Sequence, residues 1–566
     1  MPRATRIAAS SVSLASLLVA ALSAACSGGG SGNTPFILRE SEPNDTPAEA
    51  GALVLDRPGA GSIAAAGDVD FWSVRLEAGK YLRVELIATR LDQETWDSAA
   101  NVPMLTLFAP DGTTKLLEHD PIGTVSTGWG WGRHDLDFPL YRIPVEGRYF
   151  LSVAPADDTL PGGPYAVRAS LVSLPAAQQE FEAAGTTGAN DTPNTSQEIQ
   201  PGMIHGFHAE GDLDYYALTI EEPTVVRFEV NTYRDGVHDA DDGYFDPTLQ
   251  LFDSSGTGLL FHDDDAFFFD PAIHFELQDP GTYFLEVAEC CGVGDADYLL
   301  SFASAPATAT VETEPNDDLA TAGPIAYGES VSGSIDTGLS DLYAFQGTAG
   351  DMVRVQVFDG FNMQHLTGFV MLEILAPDGA TAIPTGGFFG LQTHTTILQE
   401  DGTHYLRVLP DGSPAEYRLD LSLFRGALRE TESNDAIGTA DNLFQRVAGA
   451  IDAPGDVDVF RFDAAPDRLV IVAIYAGAAA TGSDGDFEYS GHGSDLQPSI
   501  TVTNDAGTVF ATSTSDPASV FTESVTDPLP SVSLAFITTS NGPFYAHVES
   551  AFGAGGPTHT YVIEKR

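Results

Sequence analysis

Apolar and polar residues alternate with period two along much of this chain. The runs Tyr81-Leu82-Arg83-Val84-Glu85-Leu86, Val226-Arg227-Phe228-Glu229-Val230 and Met352-Val353-Arg354-Val355-Gln356-Val357 show it plainly. Successive side chains of an extended strand point to opposite faces, so the pattern predicts half-buried antiparallel strands. Turn signals such as Pro110-Asp111-Gly112 and Pro377-Asp378-Gly379 punctuate the runs. One short helix is expected after Asn44-Asp45, with Thr46 as N-cap, Pro47 at the first helical position and Glu49 closing a capping box. Many short strands and almost no helix predict an all-β chain built of sandwiches.

The runs belong to a larger repeat, because four stretches carry one order of short motifs. The first motif is an acidic Asn-Asp box: Glu40-Ser41-Glu42-Pro43-Asn44-Asp45, Glu312-Thr313-Glu314-Pro315-Asn316-Asp317, Glu430-Thr431-Glu432-Ser433-Asn434-Asp435 and a weaker Gly188-Ala189-Asn190-Asp191. An Asp beside aromatic residues follows: Asp68-Val69-Asp70-Phe71-Trp72, Asp212-Leu213-Asp214-Tyr215-Tyr216, Leu339-Ser340-Asp341-Leu342-Tyr343 and Asp456-Val457-Asp458-Val459-Phe460. The box Asn and the second Asp are 26, 24, 25 and 24 residues apart (44 to 70, 190 to 214, 316 to 341, 434 to 458), a constancy that composition alone would not give. A middle strand ending in a Gly turn, a late strand and a closing strand beginning at Tyr165, Tyr298, Tyr417 or Tyr561 keep the order. The repeats span 38–174, 180–305, 310–425 and 428–566, each of domain size.

The first residues read as an address. Arg3 and Arg6 precede an uncharged apolar run over 7–22, then Ser23-Ala24-Ala25 stand before Cys26. This is the layout of a secretory signal over 1–25. Cys26 followed by a Gly/Ser tether over 26–37 resembles a bacterial lipoprotein, in which the Cys thiol is acylated. The usual Leu three residues before the Cys is here Ser23. The alternative is ordinary cleavage after Ala25 and release of a soluble protein.

The order of Glu-x-Glu-Pro-Asn-Asp, Gly-Asp-x-Asp-aromatic, Leu-x-Leu with a Gly turn and Gly-Thr-Tyr-aromatic-Leu-x-Val resembles the bacterial pre-peptidase C-terminal (PPC) domain. That family includes the collagen-binding modules of clostridial collagenases. The resemblance covers nearly all of the chain after residue 37, four times over. It implies four tandem jelly-roll-like antiparallel β-sandwich domains of a kind usually appended to secreted peptidases and themselves non-catalytic. No peptidase segment accompanies them here.

Charge narrows the partners. The chain has 566 residues, with 81 Asp+Glu against 25 Lys+Arg and a net charge of −56. A polyanion is a poor partner for nucleic acid, whose phosphates call for Lys and Arg. It also gives no basic face for anionic lipid, so any membrane contact is expected through an N-terminal lipid alone. Clustered carboxylates suit hard cations. Calcium takes six to eight oxygens from carboxylates, amides and carbonyls. Glu40, Glu42 and Asn44 would share one side of an extended segment, with Asp45 beside them.

In the collagenase relatives this box binds calcium. The resemblance carries that role to Glu40, Glu42, Asn44, Asp45, Asp68 and Asp70, and to Glu430, Glu432, Asn434, Asp435, Asp456 and Asp458. In the third repeat it carries it to Glu312, Glu314, Asn316, Asp317 and Asp341, with Leu339 replacing one Asp. The second repeat keeps Asn190, Asp191, Asp212 and Asp214 but has Thr186 and Gly188 where the others have Glu, leaving its site in doubt. A competing reading makes Asn-Asp a cap or turn and the Glu solvated. Further Asp clusters at 239–246, 263–265 and 484–488 match no EF-hand spacing and read as solvated loops, with a second cation in repeat 2 as the alternative.

Catalytic signatures are lacking. No His-Glu-x-x-His, Gly-x-Ser-x-Gly, Walker or Rossmann pattern occurs. Two Trp, Trp129 and Trp131, stand in a Gly-rich loop where flat faces could meet a sugar or peptide; packing on their own sandwich is the alternative. Phe267-Phe268-Phe269 reads as strand edge and core, with an exposed patch as the alternative. Cys290 and Cys291 are adjacent, open to a vicinal disulfide, two free thiols or pairing with another chain. The expected function is calcium-stabilised adhesion or recognition of an extracellular protein or glycan at the cell envelope. Its rivals are an accessory or tethering subunit of a secreted peptidase, a hydrolase with its site in a loop insertion, and a plain spacer.

Overall fold

A computed structural model describes residues 36–96, 101–119, 135–172, 178–181, 188–209, 211–231, 238–239, 243–244, 246–263, 271–290, 296–336, 338–359, 370–385, 393–410, 415–476, 493–514, 531–556 and 558–566. The expected leader, Cys26 and the expected tether up to residue 35 lie outside the described residues, as do Trp129, Trp131, Thr186, 267–269 and Cys291.

The period-two runs form strands, and the α-structure among the described residues is one turn at Gln93–Trp96. The helix expected after Asn44 is a turn instead. Glu49 N–H donates to the Thr46 carbonyl at 2.9 Å and Thr46 Oγ1 donates to Glu49 Oε2 at 2.7 Å. The capping pair forms, but the strand Gly51–Ala52 begins before a second turn can follow.

In the first repeat the strands fall into two five-stranded sheets. One has the order Gly51–Ala52, Asp70–Leu76, Gly147–Pro155, Pro103–Phe108, Lys115–His119. The other has Leu38–Arg39, Gly59–Ser62, Pro164–Val172, Tyr81–Ile87, Leu136–Arg142. Pairing is antiparallel except at the short N-terminal edges, such as Leu38 against Gly59 and Gly51 against Trp72. The same strand order returns in the third and fourth repeats. It returns in the second with one edge strand reduced to a parallel bridge between Gln179 and His205. Side chains from both sheets of each pair meet in one buried cluster. In the first, Trp72, Val74 and Leu151 pack against Leu82, Val84 and Val167. Separate clusters fill the other three pairs.

The expectation of half-buried strands needs correction. Tyr81, Met352, Ala473 and Tyr475 stand on the face turned away from their own core, yet each is almost free of solvent. Another repeat covers them. Tyr81 packs on Met203 and Leu299 of the second repeat, and its ring lies 5.2 Å from that of His205. Met352 and Ile397 of the third pack on Ala473, Tyr475 and Val562 of the fourth. Between the second and third repeats, Glu276 and Arg418 form an ion pair with both side chains largely buried.

Candidate metal centre

Two strand edges build each acidic site. In the first repeat the parallel pair Leu38–Arg39 with Gly59–Ser62 ends where Glu40 N–H donates to the Ala60 carbonyl at 3.0 Å. That fixes the Glu40 carboxylate over the neighbouring strand, where Ser62 N–H donates to Oε1 at 2.7 Å. Asn44 is locked by its own carbonyl, which accepts Phe71 N–H at 2.9 Å. Asp70 opens the strand Asp70–Leu76 and is fully buried. One carboxylate oxygen from each of Glu40, Glu42 and Asp70 falls within 4.8 Å of the others. The triads Glu312, Glu314, Asp341 and Glu430, Glu432, Asp458 do the same.

The Asn amide shows what such a site lacks. The Asn44 Oδ1 position lies 2.8 Å from Glu42 Oε2 and 3.0 Å from Asp70 Oδ1, so three acceptors face one another. Turning the amide over lets nitrogen donate to both, but puts oxygen at the position 3.5 Å from Glu40 Oε2. Either way an amide oxygen confronts a carboxylate. In the later repeats, Asn316 Nδ2 donates to Glu312 Oε2 and Asn434 Nδ2 to Glu430 Oε2, both at 3.2 Å. Both residues are fully buried, and their Oδ1 atoms have no donor. A buried polar atom left unpaired costs about 1–3 kcal/mol, and a cation among oxygens would remove that cost. The donors here are carboxylate and amide oxygens, the chemistry of a hard cation rather than a thiophilic one.

Electrostatics agree. Burial, joined by the charge of Glu312 and opposed by a bond from Tyr417, pushes Asp341 up to about 7. Burial first, then the neighbouring Glu40 or Glu430 carboxylate, raises Asp70 and Asp458, and burial raises Glu430. These sites hold protons where ordinary carboxylates would have lost them, which is how crowded acids behave without a counter-charge.

The second repeat keeps more of the box than its sequence suggests, although among the described residues no third carboxylate joins it. Glu180 follows the parallel bridge at Gln179 as Glu40 follows Arg39, and its N–H donates to the His205 carbonyl at 2.9 Å. Phe207 N–H donates to Glu180 Oε2 at 2.6 Å, matching Ser62 on Glu40. Asn190 Nδ2 donates to Glu180 Oε1 at 2.9 Å and to Asp214 Oδ1 at 3.3 Å, while its buried Oδ1 has no donor. Burial, then Glu180, raises Asp214. Thr186 and Gly188 are therefore the wrong positions to compare. Ten residues separate Glu180 from Asn190, where four separate Glu40 from Asn44. The signal was the pair Glu180 and Glu182, six residues early; Glu182 lies outside the described residues.

The other candidates divide. Asp45, Asp317 and Asp435 point into solvent beside their boxes. Asp68 and Asp456 serve the preceding turn, each accepting its N–H, from Ala64 at 2.7 Å and Asp452 at 2.8 Å. That turn needs a left-handed residue, supplied by Gly67, Gly211, Gly338 and Gly455. Leu339 takes the following position in the third repeat with its side chain in solvent. Asp263, read as a solvated loop residue, is buried and accepts Ala272 N–H at 2.8 Å. Cys290 is in a disulfide.

Sequence reasoning also missed the closing tyrosines as site residues. Tyr417 OH donates to Asp341 Oδ2 at 2.7 Å, Tyr561 OH to Asp458 Oδ2 at 2.6 Å and Tyr298 OH to Asp214 Oδ2 at 2.8 Å. Tyr165 OH donates to Glu40 Oε2 at 3.1 Å. Each lies over a glycine, Gly333, Gly449, Gly206 or Gly61, where a Cβ would collide with the phenol. A glycine and a tyrosine recurring at matched positions were the available signal.

No family model matches the chain, and no curated protein matches it. Among solved structures the chain is similar to the pre-peptidase C-terminal domain of a collagenase from Bacillus anthracis. The identity is 20%, over 21% of this chain and 97% of that one, with a TM-score of 0.16. It is also similar to the CUB1-EGF-CUB2 domain of human MASP-1/3, at 9% identity over 44% of this chain and 99% of that one, with a TM-score of 0.14.

Proposed function

We propose that the chain is a non-catalytic, exported array of four PPC-like β-sandwich modules. Its acidic boxes hold structural calcium, and its surface recognises an extracellular protein or glycan. The observation that carries the calcium reading is the recurring buried Asn whose Oδ1 has no donor: Asn190, Asn316 and Asn434, with Asn44 confronting carboxylates. Calcium bound there would join the N-terminal strand edge of a repeat to the strand that begins at its buried Asp. The second repeat takes part through Glu180, Asn190 and Asp214. The order of motifs carries the family reading, and a signal followed by Cys26 and a tether carries the lipid anchor at a bacterial cell surface. The same carboxylates are bonded to backbone N–H groups and buried phenols, an arrangement suited to holding an ion rather than moving protons.

Melting with and without chelator tests the calcium. EDTA is expected to lower the melting temperature, and millimolar calcium to restore it better than magnesium does. A melting curve unchanged by EDTA overturns the reading. A glycan and matrix-protein array, probed in calcium and in chelator, tests recognition; a blank array in both leaves the spacer role as the better account.

A further inference from the structure

The first and fourth repeats stand at opposite ends of the sequence, yet they touch. Ala535 N–H, in the strand Val532–Ile537, donates to the Arg90 carbonyl at 2.9 Å. In the segment leading into the first repeat, Ile37 N–H donates to the Asp467 carbonyl at 3.1 Å. Phe36 and Arg468 oppose each other across an isolated antiparallel bridge, and the Arg468 guanidinium lies 3.7 Å from the centre of the Phe36 ring. Arg39 Nη2 sits 2.8 Å from Asp467 Oδ1. Behind these polar contacts Ile87 and Ala166 pack on Ala535, and Ala535 is fully buried.

Generic forces would not bring these two repeats together. The chain carries a net −56, so its units repel and an unconstrained array would extend. Cations are scarce, 25 Lys+Arg in all, yet Arg39, Arg57, Arg90 and Arg468 gather at this junction. Arg57 holds the Phe36 carbonyl through Nε and Nη2, at 3.2 and 3.1 Å. Arg39 meets Asp467 and Arg468 meets Phe36 across the seam, which offsets part of the repulsion where no covalent linker joins the two repeats.

We infer that the outer face of the first repeat is a docking surface for the fourth repeat of the same chain, so that the array closes into a ring of four. The seams from first to second, second to third and third to fourth repeat are those of Tyr81, Glu276 with Arg418, and Met352. They bring the fourth repeat to the first at high effective concentration, which favours the same chain over a second copy. Phe36, the first described residue, therefore stands at the closing seam.

Opposed residues of an antiparallel bridge have Cα atoms about 4.5–5.5 Å apart, within disulfide range. The full chain carrying Cys26→Ser, Phe36→Cys and Arg468→Cys, oxidised and mapped by mass spectrometry, should form a 36–468 link within one chain. Its yield should not depend on protein concentration. No such link in folded protein, or a link only between chains that grows with concentration, overturns the closure. Small-angle scattering on the chain without those changes gives a second readout. The radius of gyration should be about 24 Å for a closed body and about 34 Å or more for an end-to-end string of the same units. Ala535→Arg, a wedge on the outer face, should raise the radius and leave the β-sheet circular dichroism alone. A radius of string length in the unmodified chain, or one untouched by the wedge, overturns the closure as well.

Discussion

Tyr561 links two carboxylates that are distant in sequence. Its hydroxyl donates to Asp458 Oδ2 at 2.6 Å and lies 3.2 Å from Glu430 Oε2, so one phenol spans both edges of the acidic site. Asp458 holds its proton without metal, so the bond is of the neutral kind, worth about 0.5–1.5 kcal/mol, and the ring itself is core. Tyr561→Phe keeps the ring and removes the bonds. Urea denaturation of that variant in EDTA is expected to show a loss of about 0.5–1.5 kcal/mol, and calcium should stabilise it less than it does the unchanged chain. A loss of a few tenths would mean that the phenol only fills space. At this scale the boxes were legible where Glu, Asn and Asp kept constant spacing, as at Glu40, Asn44 and Asp70. Glu180 was not, because an insertion moved it six residues and spacing was the only ruler. Tyr561 and Gly449 were visible as recurring letters, but their meeting depends on a strand pairing, Gly449 against Tyr561, that spacing does not reveal.

At the scale of the element, period two foretold the strands and their antiparallel order but misjudged their second face. In Met352-Val353-Arg354-Val355-Gln356-Val357 the polar positions look solvated, yet Gln356 is buried. Alternation reads the same whether the polar side meets water or paired charge on another repeat. Arg418 is the sharpest case. It lies in the strand Ala415–Arg425, about 6% exposed at its side chain, and pairs with Glu276 of the second repeat and with Asp420. Removing one member of a buried pair strands the other, at about 3–5 kcal/mol, whereas replacing both with apolar groups of similar size is often neutral. Glu276→Leu alone leaves Arg418 its bond to Asp420, so it should destabilise by less than that, about 1–3 kcal/mol. Glu276→Leu with Arg418→Met should recover only part of it in a denaturation cycle, because Asp420 then loses its partner. Additive losses would mean that the two side chains act independently and that the seam does not depend on the pair. The missing helix after Asn44 has a similar origin. The capping pair Thr46 and Glu49 is satisfied within one turn, and the next residues are claimed by pairing with the strand Asp70–Leu76.

At the scale of the whole molecule, the buried acids make stability depend on pH and on cation together. Without metal, Asp341 keeps its proton up to about 7 against 3.8 in an ordinary chain, and Asp70, Asp214, Asp458 and Glu430 are raised as well. The folded state then binds more protons than the unfolded state, so stability falls as pH rises through the folded values. Buried histidines work in the opposite direction and at lower pH. Burial lowers His394 to about 4 and also lowers His274, His404 and His547, so their contribution is lost as pH falls through the unfolded value of 6.5. Above pH 6.5 the carboxyls therefore dominate. On the proposed calcium reading the ion competes with the protons they hold, so binding should release protons and tighten with pH. Melting temperature in EDTA is expected to fall between pH 6.5 and 8.5, while in calcium it stays level, so the gap between the two widens. Calorimetry in buffers of different ionisation enthalpy would show the proton release directly. A gap that stays constant across this range would mean that the crowded carboxyls are already ionised in the folded state. The raised acids and the unpaired asparagine oxygens would then no longer describe the same site.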